Sequence, residues 1–340
     1  MNMVDNNNKN IFVDGYVDSI TLRIDFIDKD YRAAVFSELC NFVKEKKIVA
    51  VKYDEEKSTQ YRQITNLLSS NTTIATISRS AYTYANQNLL SNIQQYYIAI
   101  SFFGLKRYSK RIDEKSFLLL QNIVAYLNTN NIPYCLTQFD ISADVPCHTN
   151  SLLAVCLKRK LKTQYHPLGQ YDEYSKNIQT NNGTYEIERF ESTKKQNNVM
   201  KRAYLYDKRK KEIEKANNDL GYELSRFEVS FQNRFFLHNE VSVNSFLQEI
   251  KDYNLFYFED IKKKEKFVKQ YNKANSNKHR TQLTDKISQS TPTVKIKMFK
   301  IGEFLKMLDL ITFDSNGRLV IGSDKYYIYG LSKFNRNKKF

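Results

Sequence analysis

In "RAYLYDKRKK", Tyr204 and Tyr206 alternate along what reads as a strand, and a basic run follows: Lys208, Arg209, Lys210 and Lys211, with Lys201 and Arg202 just before. A phenol can attack phosphorus once its proton is removed, and nearby cations offset the charge that builds up on the phosphate. Two further stretches carry acidic groups at strand spacing. In "FDISADV", Asp140, Ser142 and Asp144 share one face. In "SRFEVSF", Arg226, Glu228 and Ser230 share one face and Phe227, Val229 and Phe231 the other. On spacing alone each set has a plain structural reading as well: aromatics that pad a sheet, a solvated basic helix, and a Glu228–Arg226 surface pair contributing under about 1 kcal/mol.

The elements that must hold these residues follow from the apolar periodicity. Alternation in "YVDSITLRIDF" predicts a strand, "YRAAVFSELCNFVKEKK" a helix and "IVAVKY" another strand. Strands are then expected in "TTIATISRSAYTYA" and "NIQQYYIAISFFGL", a helix in "EKSFLLLQNIVAYLNTN" and a strand in "IPYCLTQFDISADV". The recurring strand–helix–strand theme predicts an α+β fold: a ferredoxin-like, duplicated βαβ sheet with helices on one face. Strands in "TYEIERFE", "KRAYLYDK" and "YELSRFEVSF" complete the reading, with a short charged helix between the last two. The expected organisation is a polar leader over 1–14, a main domain over 15–240, a basic helical region over 241–280, and a linker with a small C-terminal module over 281–340. Within it, 276–293 reads as linker from its Thr, Ser, Gln and Pro content.

Composition narrows the partner class. The chain has 340 residues, a formal charge of +16 and a pI near 9.4, which favour a polyanionic partner, nucleic acid first. Cys40, Cys135, Cys147 and Cys156 show no CxxC spacing, so neither a zinc site nor a disulfide framework is expected. No apolar run approaches the roughly 20 residues of a membrane span, and the opening residues lack the apolar stretch of a signal peptide, so the expectation is a soluble, cytoplasmic protein. The phosphate loop of an ATP-driven motor is missing. His148, His166, His238 and His279 form no His-x-His pair, so a metal would rest on carboxylates, with an isolated histidine such as His148 as helper. Hard oxygen ligands favour Mg²⁺ or Mn²⁺.

In their order, "LTQFDISADV", "TYEIERFESTKKQNNVMKRAYLYDKRKKE" and "LSRFEVSF" resemble the replication initiation factor (Rep_trans) family of rolling-circle plasmids, phages and integrative elements. The likeness spans roughly residues 15–250 and includes "VDSITLRI" as the opening strand. It implies a relaxase-like sheet on which a tyrosine nicks one DNA strand at an origin, stays joined to the 5′-phosphate and leaves a 3′-hydroxyl that primes replication. By motif, Tyr206, directly before Asp207-Lys208, takes the nucleophile's place, with Tyr204 in reserve. Asp140, Glu228 and Asp144 fall where the family has acidic residues suited to a divalent metal. The cations at Lys201, Arg202, Lys208, Arg209, Lys210, Lys211 and Arg226 are the expected DNA contacts, with Lys208 and Arg226 the most economical candidates for the phosphate. Gln138 stands where the family favours an arginine, and "YEIERF" replaces its "YIGS" step. Origin DNA is the implied partner, with a helicase and a second copy of the chain as further ones. A conjugative relaxase shares this chemistry. A non-catalytic DNA-binding regulator is the alternative, which the order Asp, Tyr, Glu argues against, because a pure binder has no use for carboxylates facing phosphate. An RNA-binding sheet would stack bases on aromatics, but its signature is not seen.

Overall fold

The computed structural model describes residues 10–59, 62–86, 91–105, 115–156, 185–191, 199–232, 250, 253–297, 304, 311–313 and 319–321. The chain forms two compact units. One gathers residues 1–16, 140–232 and 243–303, the other 17–139, 233–242 and 304–340. Two long strands serve in both: β1 (Asn10–Phe26) and β6 (Cys135–Val145) each divide their residues between them.

The second unit holds the expected helix-on-sheet pattern. Its strands, β2 (Ala50–Tyr53), β3 (Arg62–Ser69), β4 (Thr72–Asn86) and β5 (Ser91–Phe102), run in the order β2-β3-β4-β5-β1-β6. The β6-β1-β5-β4 part is the order of a ferredoxin-like βαββαβ unit, extended at one edge by β3 and β2. Alternation in β1 places Ile20, Leu22 and Ile24 inside at 0–1% exposure. Helix α1 (Lys29–Glu45) starts at Asp28, whose carboxylate accepts the Tyr31 N–H at 2.6 Å, and buries Val35, Leu39 and Val43 one turn apart against β4 and β5. Helix α2 (Lys115–Thr129) buries Leu119, Leu120, Ile123, Val124 and Leu127. Ser70 and Asn71 both take positive φ, 46° and 66°, in the tight turn that joins β3 to β4, the backbone that matches strand twist. A short ladder pairs β13 (Ile311–Phe313) with β14 (Leu319–Ile321) in the C-terminal segment.

In the first unit, β8 (Tyr185–Glu191), β9 (Val199–Asp207) and β10 (Ser225–Gln232) stand in the order β6-β10-β9-β8. Helix α3 (Lys208–Ala216) leaves β9 directly. Asp207 caps it by accepting the Lys210 N–H at 2.9 Å, and Asn217 closes it in the left-handed region. A second strand group joins β7 (Leu152–Cys156), β11 (Tyr253–Tyr257) and β12 (Thr293–Lys297), the last pairing in parallel with Asn10–Asp14 of β1.

The α+β expectation holds: the ladders are mostly antiparallel, and five helices accompany them among the described residues. Three local expectations change. The first strand begins at Asn10, inside the expected leader. The region read as helical from 241 contains strand β11 before helix α4 (Ile261–Lys273). The stretch read as linker is largely helix α5 (Asn277–Ser288), started by Ser276, whose hydroxyl accepts the His279 N–H at 3.2 Å. Its polar composition hides the helix because only Thr284 is buried, so there is almost no apolar stripe to read. Among the described residues no helix is long and apolar enough to cross a membrane, and Cys40, Cys135 and Cys147 are free thiols.

Candidate active site

The site lies wholly within the first unit, on one face of β6, β10 and β9. The antiparallel register sets Tyr206 opposite Arg226 and Tyr204 opposite Glu228. Residues directly opposite share a face, so both tyrosines stand on the face of Arg226, Glu228 and Ser230. On the other side of β10, Ser230 Oγ donates to Asp140 Oδ1 at 2.5 Å, and Arg226 donates to both oxygens of Asp144, Nε at 2.7 Å and Nη2 at 3.1 Å. Those two contacts put Ser142 level with Glu228. The opposite face carries Phe139, Ile141, Ala143, Phe227, Val229, Phe231, Ala203 and Leu205, all core.

At the centre, the Tyr206 hydroxyl donates to Glu228 Oε2 at 2.9 Å. Lys211, in the first turn of α3, donates from Nζ to the same hydroxyl at 3.2 Å and lies 4.3 Å from the ring centroid. A carboxylate in contact with a phenol is placed to take its proton, and an ammonium beside it favours the phenolate that results. Glu228 as proton acceptor goes beyond the sequence expectations for this site. The signal was there in the alternation of "SRFEVSF", but the partner is set by a strand register that no local spacing encodes.

The polar face is buried too. Tyr206 is 2% exposed, Arg226 0%, Ser142 1%, Ser230 3% and Asp140 7%. This alters two expected phosphate contacts, Arg226 and Lys208. Arg226, expected at the phosphate, is an interior cation whose Nε–Nη2 edge is bound by both oxygens of Asp144, so that edge and that carboxylate are not offered to a ligand in this conformation. Lys208, also expected there, is 3% exposed and ion-paired with Glu212 at 2.9 Å. Arg209 is clamped by Asp219 and Glu223, each at 2.8 Å, and the guanidinium holds the Asp219 carboxyl down at about 2. Lys210 is exposed and 3.8 Å from Glu214. The side chains of Lys201 and Arg202 lie outside the described residues.

The three expected metal ligands do not come together as one set: Asp140 serves Ser230, Asp144 serves Arg226 and Glu228 serves Tyr206. Among the described residues, a different group has its ligand atoms within 4.8 Å of one another: His148, Asp207 and Glu223. The cluster assembles because Ser225 pairs opposite Asp207 while its hydroxyl bonds Thr149 Oγ1 at 2.9 Å and Cys147 O at 2.7 Å, which draws the 147–151 loop to the end of β9 and β10. Each carboxylate keeps one oxygen for the protein, Asp207 Oδ1 for Lys210 N and Glu223 Oε1 for Arg209, and His148 Nδ1 accepts the Asn150 N–H at 3.1 Å. Of the three, only His148 was singled out from sequence as a ligand.

The same loop is anchored by Lys264 of α4, whose Nζ donates to Asn150 O at 2.7 Å. Burial pushes this ammonium down to about 8 from its ordinary 10.5, and burial pushes the neighbouring Cys147 thiol up to about 12 from 9.0. Below pH 8 the lysine is protonated in folded and unfolded chains alike. Between about 8 and 10.5 the unfolded chain holds a proton that the folded one has shed, so stability rises with pH. From about pH 9 the cysteine acts the other way, because the folded thiol keeps a proton that the unfolded one loses. Stability should therefore climb by roughly 1 kcal/mol between pH 8 and 9 and then level off. Denaturant melts across pH check this: Lys264→Met should remove the rise, and Cys147→Ala should let it continue past pH 9.

No protein-family model matches this chain, and no curated protein matches it. Among solved structures it is similar to a rolling circle replication initiator protein from Geobacillus stearothermophilus, at 10% identity and a TM-score of 0.31, over 65% of this chain and 75% of that one.

Proposed function

We propose that this chain is a replication initiator that nicks one DNA strand at an origin and starts rolling-circle replication of the element that encodes it. The observation that carries the reading is the Tyr206 hydroxyl held between Glu228 Oε2 and Lys211 Nζ. The order of the motifs, by whose resemblance Tyr206 is expected as nucleophile, supports it independently, and the +16 charge suits the substrate. Glu228 takes the phenolic proton as Tyr206 Oη bonds to phosphorus, and the P–O3′ bond breaks. The 5′-phosphate stays on the tyrosine, and the 3′-oxygen leaves and gains a proton from solvent. Rejoining is the reverse, with the Glu228 carboxyl returning its proton to the phenol. Lys211 offsets the charge on the phenolate and then on the phosphotyrosine. Lys201, Arg202, Arg209 and Lys210 are the remaining proposed DNA contacts.

A divalent cation, Mg²⁺ or Mn²⁺, would supply polarisation of the scissile phosphate. His148, Asp207 and Glu223 have the chemistry to hold one. The imidazole favours Mn²⁺ over Mg²⁺ in that set.

The test is to incubate the protein with Mn²⁺ and supercoiled DNA of its own element, denature in SDS, digest, and locate any nucleotide-bearing peptide by mass spectrometry. An adduct on Tyr206 is expected. An adduct on Tyr204 moves the nucleophile two residues along the strand. DNA binding without any adduct selects a non-catalytic DNA-binding regulator, the reading that the 2% exposure of Tyr206 would favour.

A further inference from the structure

The second unit carries a hollow that the nicking chemistry does not use. On β3 and β4, Gln63, Thr65 and Arg79 turn toward α1, while Arg62, Ile64, Asn66 and Thr76 take the opposite face, with Asn66 paired across to Thr76. There they line a cavity of about 590 Å³ together with Lys57 and Phe103. That volume is in the range of ligand pockets, ~300–1,000 Å³.

Its chemistry is specific. Phe103 follows β5 and is pinned by its N–H to Ile74 O at 2.8 Å, yet the residue is 43% exposed, which leaves an accessible aromatic side chain at the rim. Lys57 donates its backbone N–H to Asp54 Oδ1 at 3.0 Å and holds its ammonium 3.4 Å from Asp54 Oδ2, but its side chain is 71% exposed, so the pair is a weak surface one that a phosphate can displace, and the Arg62 side chain is exposed as well. Asn66 gives an amide N–H to Asp54 Oδ2 at 2.8 Å, which orients the amide and turns its oxygen toward other donors. A stacking surface, two cations at the rim and an oriented amide beside a threonine hydroxyl match one kind of polyanion: a strand whose bases are unpaired. Such strands bind by stacking on aromatics while cations follow the backbone. Duplex DNA presents no base faces to stack.

We propose that this hollow binds single-stranded DNA, seating a base on Phe103 and backbone phosphates on Lys57 and Arg62. The choice of DNA over RNA rests on the nicking reading, in which the strand to be cut must be unpaired; the geometry of the hollow does not.

Fluorescence anisotropy with a labelled oligodeoxythymidine about twelve nucleotides long tests it. Phe103→Leu should weaken binding on the order of 10-fold, with Phe103→Trp restoring it, because leucine keeps apolar bulk and loses only the stacking face. Lys57→Ala with Arg62→Ala should reduce the salt slope by about 1.4, the value for two single-strand phosphates. All of these side chains are exposed, so folding is spared, and circular dichroism of each variant confirms it. Unchanged affinity and slope in the folded variants overturn the proposal. So does a loss confined to a labelled duplex or to an oligoribonucleotide. If the unaltered protein binds no DNA of any form, the nicking reading and this proposal fail together. If it binds and nicks while the variants bind normally, only the hollow is misassigned.

Discussion

Tyr206→Phe should abolish the covalent DNA adduct and lower strand cleavage by at least about 10³-fold, some 4 kcal/mol of transition-state stabilisation. The substitution removes one oxygen, and that oxygen is the atom that would bond to phosphorus. The fold should survive it. The ring remains in its buried place, and the loss is the hydroxyl's two contacts, to Glu228 at 2.9 Å and Lys211 at 3.2 Å. Lost hydrogen bonds of this kind cost roughly 1–2 kcal/mol in total. A gel-based nicking assay beside a thermal melt therefore separates chemistry from folding. A variant that still nicks and still forms the adduct places the nucleophile elsewhere. Tyr204→Phe should leave the adduct in place, because Tyr204 sits opposite Glu228 but the carboxylate oxygen is engaged by Tyr206.

Arg226→Ala should be the most destabilising single change in the first unit, by about 3–5 kcal/mol, because it strands a buried carboxylate. Arg226 is 0% exposed and Asp144 7% by side chain, so the pair is shielded from the solvent that makes surface pairs weak. The arginine also ties β6 to β10 across 82 residues of sequence, so its loss loosens the ladder that holds Glu228 in register. The midpoint of thermal unfolding should fall on the order of 10 °C. Replacing both partners by apolar residues of similar size, Arg226→Met with Asp144→Leu, should recover most of the loss, since neither charge is then left unpaired. If Arg226→Ala costs under about 1 kcal/mol, the pair is effectively solvated and Arg226 becomes available again as a phosphate contact.

Two features of this site were legible because they are periodic. Alternation in "FDISADV" and "SRFEVSF" separated the carboxylates from the core residues correctly, since successive side chains on a strand must point to opposite faces. Helices α1 and α2 were legible for the same reason at the helical period. Strands β3 and β7 were not. Residues 152–155 are a continuous apolar run buried throughout, which has no alternation to detect, and "RQITNLLS" breaks its alternation at a register shift between Leu67 and Leu68. Helix α5 escaped because its start is marked by one capping serine and its body by almost no buried side chain.

What the sequence determined by itself was therefore the chemistry on offer and its facing: a tyrosine pair, carboxylates on strand faces, a strong positive charge and the α+β class. The tertiary structure alone decided who meets whom. Glu228 became the partner of Tyr206 and not a member of an Asp140–Asp144 ligand set, Arg226 became an internal tie, and His148, Asp207 and Glu223 converged from three separate segments. The reason is physical: a side chain's face is set by the dihedrals of its own few residues, whereas its partner is set by the register of ladders between distant strands, 90 residues apart for Ser230 and Asp140, a property of the packed whole.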